Sequence, residues 1–196
     1  MFTGIINATG SVSEILDCKG DKTFLLDTGD LEINDVMLGD SICINGVCLT
    51  VINKTDKSIK VDVSAETLLC TNFDEYLPGK RVNLEKSLQT TDRLHGHIVS
   101  GHVDTVGIIV SIKNDARSFQ YNIEIPVEFR KYLCKKGSVC VDGVSLTIND
   151  ISEKYVSLNI IPYTKLNTIF SDYISGSKVN IEVDIIARYL ETLHQL

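Results

Sequence analysis

The chain lacks long apolar runs. No stretch approaches the ~20 residues needed to cross a bilayer, so no membrane span is expected. It is also poor in clustered positive charge. Its 19 Lys and Arg never gather beyond adjacent pairs, and 26 Asp and Glu bring the net charge to −7, which speaks against a nucleic-acid surface. The start, Met-Phe-Thr-Gly, has none of the basic, apolar and small-residue regions of a secretory leader, and the expected setting is cytoplasmic. Four histidines fall in no His-Glu-x-x-His pattern and six cysteines form no Cys-x-x-Cys pair, so no metal-ligand spacing is present and reduced thiols are expected. Gly-x-Gly-x-x-Gly, phosphate loops and Gly-x-Ser-x-Gly are missing as well. Dinucleotide binding, nucleotide hydrolysis and an activated serine nucleophile are therefore not indicated.

What the chain does have is the same text twice. SICINGVCLTV at 41–51 returns as SVCVDGVSLTI at 138–148, and the offset that carries Ser41 onto Ser138 aligns 1–85 with 98–182 without a net gap. Roughly one pair in five is identical, far above chance, including Gly4/Gly101, Gly46/Gly143, Thr67/Thr164, Asn83/Asn180 and Glu85/Glu182. The repeat predicts two similar domains, the first over 1–97 with a polar linker at 86–97, the second over 98–184, followed by a helix at 185–196 outside both copies. The copies diverge where Cys48 faces Ser145, Ile5 faces His102, Asn45 faces Asp142, and Ser64-Ala65-Glu66 faces Ile161-Pro162-Tyr163. Two similar pockets with different polar equipment suit two related small molecules that are treated differently.

Each copy reads as short alternating strands between turns. Asn45-Gly46 and Asp142-Gly143 are hairpin dipeptides, and Pro78-Gly79 and Ser175-Gly176 are matching later turns. The fold class is mainly β: two tandem, similar six-stranded antiparallel barrels plus a C-terminal α-helix. One helix is expected in each copy before the Ser41 or Ser138 strand, starting at Pro126 in the second, and a short helical turn after Glu66 and Thr164. The C-terminal segment places Ile185, Ile186, Tyr189, Leu190, Leu193 and Leu196 on one side. That stripe can pack on its own barrel or on the same helix of other subunits.

The Gly-x-Cys-Leu-Thr and Gly-x-Ser-Leu-Thr segments set strand-edge backbone groups beside a thiol or hydroxyl. They suit the amide-rich edge of a planar heterocycle, or form a plain hairpin with a half-buried Thr. His102 takes an apolar strand slot, which costs desolvation unless it is bonded structurally or faces a ligand. Asp184 is either a solvated strand-end carboxylate or a site group. Cys43 and Cys140 occupy equivalent positions, as core residues would.

In combination MFTGII, NGVCLTV, GHIVSGHVD, DGVSLTI and VNIEVD resemble the riboflavin synthases of the α-chain type, over nearly the whole chain. The resemblance implies a transferase without cofactor or metal. Two molecules of 6,7-dimethyl-8-ribityllumazine exchange a four-carbon unit to give riboflavin and 5-amino-6-(ribitylamino)uracil. It implies a homotrimer built on the C-terminal helices, with each working site between the first barrel of one subunit and the second of a neighbour, and it raises lumazine synthase as a further partner. By the same resemblance one pocket uses Gly4, Ile5, Ile6, Cys48, Leu49, Thr50, Asp62, Val63, Ser64, Ala65, Glu66 and Thr67. The other uses Gly101, His102, Val103, Lys136, Ser145, Leu146, Thr147, Ile160, Ile161, Pro162, Tyr163, Thr164 and Lys165. Phe2 and Ser41 border the reacting pair. His102 is the candidate for proton transfer, Cys48, Ser145 and Asp184 activate or relay, and Thr147 positions substrate. Val47 stands beside Cys48 where some members carry a second cysteine. Lumazine proteins of luminous bacteria resemble the same family but use one pocket; the joint presence of Cys48, His102, Lys136, Ser145 and Asp184 favours the enzyme.

Overall fold

A computed structural model describes residues 1–194; the last two positions of the expected C-terminal helix, Gln195 and Leu196, lie outside the described residues. In the first copy the strands are β1 (Ala8–Cys18), β2 (Asp21–Asp27), β3 (Ser41–Ile44), β4 (Val47–Lys54), β5 (Ser58–Val63) and β6 (Arg81–Lys86). They close in the order β1-β2-β5-β4-β3-β6, every pair antiparallel. The second copy repeats this with β7 (Thr105–Asp115), β8 (Ser118–Glu124), β9 (Ser138–Val141), β10 (Val144–Ile151), β11 (Val156–Ile160) and β12 (Lys178–Val183), again a closed six-stranded barrel. Register shifts that let the sheet curve fall at equivalent places, Val12/Glu14 with Ile109/Ser111 and Val51/Asn53 with Ile148/Asp150.

The hairpin dipeptides form the turns expected of them. Asn45 and Gly46 have φ of 45° and 82°, Asp142 and Gly143 43° and 83°, the doubly positive turn that matches strand twist. Helix α1 (Ala65–Cys70) is capped by Ser64, whose hydroxyl accepts from the Thr67 N–H, while α2 (Pro162–Asn167) opens on Pro162 and has no side-chain cap. The helix expected before β3 is not formed: residues 28–40 are turns and irregular chain. Its counterpart before β9 is a 3₁₀ helix, Val127–Tyr132, with Pro126 just outside it. In so small a barrel these connections need only bridge one end, and short tight turns suffice. Helix α3 (Ile185–His194) ends the described chain.

Each barrel has its own apolar core. Phe24, Leu26, Val61, Phe73 and Tyr76 fill the first, with Phe24 edge-on to Phe73 at 5.5 Å; Tyr121, Ile123, Leu158, Phe170 and Tyr173 fill the second. The barrels meet along a polar seam, which follows from alternation on the closing strands. In β6, Val82 and Leu84 point into the core, and Asn83 and Glu85 on the opposite face are also buried because the second barrel covers them. Buried polar groups need partners, and these are supplied across the seam in mirrored pairs. Asn83 Nδ2 donates to Asp142 O and Asn180 Nδ2 to Asn45 O, while Asn83 Oδ1 accepts from Ile169 N and Asn180 Oδ1 from Asn72 N. The Asn45/Asp142 exchange lies in this seam rather than in a pocket: Asn45 Nδ2 donates to Tyr76 Oη at 2.6 Å, and Asp142 accepts from the Tyr173 hydroxyl.

Candidate functional site

Ahead of each barrel runs a short arm, and the two arms lie side by side: Phe2 N donates to Val99 O (2.8 Å) and Val99 N to Phe2 O (3.1 Å). Each arm then passes onto the other copy's barrel. Ser145 N donates to Gly4 O and Cys48 N to Gly101 O, both at 2.8 Å. Ile6 packs on the second-barrel core and Val103 on the first. The approach is so close that a Cβ on Gly4 would sit 2.5 Å from Ser145 Cβ, and one on Gly101 2.6 Å from Cys48 Cβ. With φ of 76° and 80° at these two positions, glycine is required on both counts. The expected grouping, in which each arm serves its own copy, is therefore corrected. Gly4, Ile5 and Ile6 belong with the Ser145 segment, and Gly101, His102 and Val103 with the Cys48 segment.

Two buried carboxyls hold the arms. Glu85 accepts from Thr3 N (2.7 Å), Thr3 Oγ1 (2.6 Å) and Gly4 N (3.0 Å). Glu182 accepts from Ser100 N (2.7 Å), Ser100 Oγ (2.6 Å) and Gly101 N (2.9 Å). Burial pushes the Glu85 carboxyl up, against the downward pull of its bonds to Thr3 and Gly4.

On the first barrel, Cys48 is half-buried on β4, Leu49 points into the core and Thr50 is exposed, opposite Ser41 in register. Val63 is in the core, and Asp62 accepts from Thr23 Oγ1 at 2.6 Å. Beyond β5, Ser64, Ala65 and Glu66 are exposed and Thr67 half-buried over the first turn of α1, and Ala65 N is taken by Asp21 Oδ1 at 2.8 Å. His102 is exposed on the crossing arm and makes no side-chain hydrogen bond among the described residues. On the second barrel, Ser145 and Leu146 are half-buried, Thr147 is exposed opposite Ser138, and Lys136 is exposed at φ 69°. Ile160 is buried; Ile161, Pro162 and Tyr163 are exposed, Thr164 is half-buried, and Lys165 lies 3.6 Å over the Phe119 ring.

The site contains a histidine that sequence reasoning passed over. His97 Nδ1 is 2.7 Å from Ser145 Oγ, and Nε2 is buried without a partner among the described residues. Burial pushes this imidazole below its ordinary range, against the opposing pull of Asp184 and Glu182, which favours the neutral ring. His97 precedes the repeat and has no counterpart in the first copy; its signal was its place within the GHIVSGHVD motif. Asp184 caps α3, accepting from Ile186 N at 3.0 Å. Phe2 is wholly buried among Cys43, Val99 and Cys140, with Cys48 packed against this group, so its side chain supports the site from beneath. The structure thus assembles Cys48 with Gly101, and Ser145 with Gly4 and His97. No hydrogen bond joins Cys48 to Ser145, and no group of three or more His, Cys, Asp or Glu able to hold a metal ion occurs among the described residues.

This arrangement can hold two flat, amide-edged molecules on two similar strand edges, one beside a thiol and the other beside a hydroxyl with a neutral imidazole. Comparison with known proteins agrees. The lumazine binding domain family matches residues 3–87 and again 100–184. The riboflavin synthase of Photobacterium phosphoreum is 46% identical over 193 residues, covering 98% of this chain and 88% of the relative. That of Bacillus subtilis (strain 168) is 42% identical over 190 residues, covering 97% and 88%. That of Mycobacterium tuberculosis (strain ATCC 25618 / H37Rv) is 40% identical over 197 residues, covering 98% of both. Among solved structures, LumP complexed with riboflavin superposes with a TM-score of 0.86 at 23% identity, and LumP complexed with 6,7-dimethyl-8-(1'-D-ribityl) lumazine with 0.84 at 23%, each covering 93% of this chain and 99% of LumP. At that identity the likeness concerns the fold.

Proposed function

This chain belongs to the riboflavin synthase family, and on that premise we propose that it converts two molecules of 6,7-dimethyl-8-ribityllumazine into riboflavin and 5-amino-6-(ribitylamino)uracil. The observation that carries the reading is the pair of like strand edges with unlike side chains, Cys48 beside Gly101 and Ser145 beside Gly4 and His97. A reaction in which one lumazine donates four carbons and an identical lumazine accepts them needs this likeness with a difference.

The backbone at Gly4–Ile6 with Ser145–Thr147, and at Gly101–Val103 with Cys48–Thr50, grips the pyrimidinedione edges. The ribityl chains lie along Asp62–Thr67 and Ile160–Lys165. The reaction begins with loss of a proton from a 7-methyl group; carbon–carbon bonds then form between the two lumazines, and elimination releases the products. His102 moves protons on the exposed side of the Cys48 site, and His97 with Ser145 relays them at the other. Bringing the two lumazines together supplies a large part of the acceleration, because a bimolecular step becomes effectively intramolecular. Since each site faces outward on a single chain, a second chain is needed to stack one lumazine on the other. We assign this to a homotrimer joined through α3, in a cytoplasmic setting.

The experiment is to mix the purified protein with 6,7-dimethyl-8-ribityllumazine and follow absorbance and product chromatography. Riboflavin and the diaminouracil product in equal amounts are expected. Tight binding with altered fluorescence but no riboflavin would replace the enzyme by a lumazine carrier.

A further inference from the structure

The carboxyls of Glu85 and Glu182 belong to neither lumazine edge, yet each is wholly engaged with one arm. Glu85 stands on β6 of the first barrel and binds Thr3 and Gly4 through three hydrogen bonds. The arm it holds serves the second barrel. Gly4 O takes the N–H of Ser145, Thr3 O takes the N–H of His97 at 3.2 Å, and Gly96 is pressed on both, its would-be Cβ 2.1 Å from Thr3 O and 2.8 Å from Ser145 Cβ. Thr3 therefore links Glu85 to the two groups, His97 and Ser145, that face each other at 2.7 Å. Glu182 on β12 mirrors this arrangement. It binds Ser100 and Gly101, and Gly101 O takes the N–H of Cys48 in the first barrel.

We infer that Glu85 and Glu182 are positioning residues that act across the seam, Glu85 setting the Ser145–His97 site on the second barrel and Glu182 setting the Cys48 site on the first. Each barrel's reactive edge is thus built by the other barrel. The two barrels of one chain then depend on each other for their sites: a change at one carboxyl reaches the far site through one backbone segment and leaves the near one in place. A carboxyl is suited to this role because both its oxygens accept. Glutamine in place of Glu85 would turn an N–H toward Gly4 N and lose that bond, loosening the arm without emptying the space.

The test has a half that needs no ligand and a half that rests on the proposed lumazine reaction. In the first, amide hydrogen exchange is compared between the parent and Glu85→Gln. Faster exchange at His97 and Ser145 with unchanged protection at Cys48 is expected, and Glu182→Gln should give the reverse. Thr3→Ala, which removes the hydroxyl that donates to Glu85 and accepts from Ile5 N at 3.2 Å, should give the Glu85→Gln pattern more weakly and decides the matter if the Gln variant folds poorly. In the second half, Glu85→Gln lowers kcat/KM with 6,7-dimethyl-8-ribityllumazine by roughly ten- to hundredfold, as small misplacements of reacting groups do. That loss should persist in a Cys48→Ser background and nearly vanish in a Ser145→Ala background, where the positioned group is already gone. Loosening of Cys48 by Glu85→Gln, or equal loosening of both sites, would overturn the inference. A parent that binds no lumazine while the crossed exchange pattern stands would refute the reaction and leave the crossing established.

Discussion

His97 and Ser145 form a pair whose working state is set by burial. The imidazole is held below its ordinary range, so the neutral form that can take a proton persists as the medium is acidified past the point where a free histidine would charge. If turnover uses this base, the acid limb of kcat lies below the usual histidine range. His97→Gln should then lower kcat by roughly ten- to hundredfold and flatten that limb, while leaving lumazine binding near the parent value. An acid limb that survives His97→Gln unchanged would assign it to another group. The Cys48 and Ser145 positions were legible in the sequence because the repeat displays them as one exchange in an otherwise shared motif. His97 was not, because it stands one residue before the repeat begins and meets Ser145 only through the crossing of the arms. Comparing copies reveals what differs between equivalents and is silent about a residue that has none.

At the scale of elements, alternation marked β3 to β6 and β9 to β12, and the turn dipeptides marked the hairpins at Asn45-Gly46 and Asp142-Gly143, since both signals are local; β1, β2, β7 and β8 entered only through the expected count of six strands in each copy. The stretches between β2 and β3, and between β8 and β9, are the connections where a helix was expected; in the first, apolar residues such as Leu31, Ile33 and Val36 join the barrel core in irregular chain, and in the second only the 3₁₀ helix Val127–Tyr132 forms. Helix α3 leaves most of its apolar stripe uncovered by its own barrel. It is held to its own chain by polar groups: Arg188 pairs with the buried Asp104, and Glu191 with Lys131. Its apolar residues Ile186, Tyr189, Leu190 and Leu193 remain 56 to 67% exposed. A stripe at this spacing left uncovered by its own barrel is suited to the same stripe on other copies. The parent protein is accordingly expected to sediment as three chains, and the double variant Tyr189→Glu with Leu193→Glu as one. The separated chain should lose lumazine conversion because its sites then lack a facing partner. A parent that already sediments as a single chain would remove both the trimer and the shared site.

The whole molecule depends on a seam that is polar and buried at once, and its most exposed weakness is Asp142. The offset between the copies marks Asn45 against Asp142 as a difference between pockets, and the structure moves it to the seam; sequence divergence says that two copies differ, and only the closing strands decide which face a residue takes. Asp142 accepts from Tyr173 and from Asn180 N at 2.8 Å, with no cation hydrogen-bonded to it among the described residues, and the titratable groups that act on it or feel its charge are Tyr173, Lys80 and Tyr76. Burial pushes its carboxyl up to about 7, only partly opposed by the Tyr173 and Asn180 bonds. The sign follows from proton uptake. In the unfolded chain Asp142 releases its proton near pH 4, whereas the folded protein keeps it until about pH 7. The native state is favoured fully below pH ~4, and this contribution is lost as pH rises through 7, a change on the order of 4 kcal/mol if the whole shift is expressed. Asparagine has no proton to lose, and the first copy shows that it fits: Asn45 Oδ1 accepts from Asn83 N at 2.7 Å while its Nδ2 meets the tyrosine. Urea unfolding of the parent and of Asp142→Asn should therefore agree closely at pH ~4, diverge steadily from there to pH ~7, and differ by pH 8 by about 1–4 kcal/mol, with the Asn variant the more stable. Because the seam ties both barrels together, a single transition should move as one in each protein. Stability curves that run parallel from pH 5 to pH 8 would show that Asp142 is ionised in the seam already and that its neighbours hold the charge.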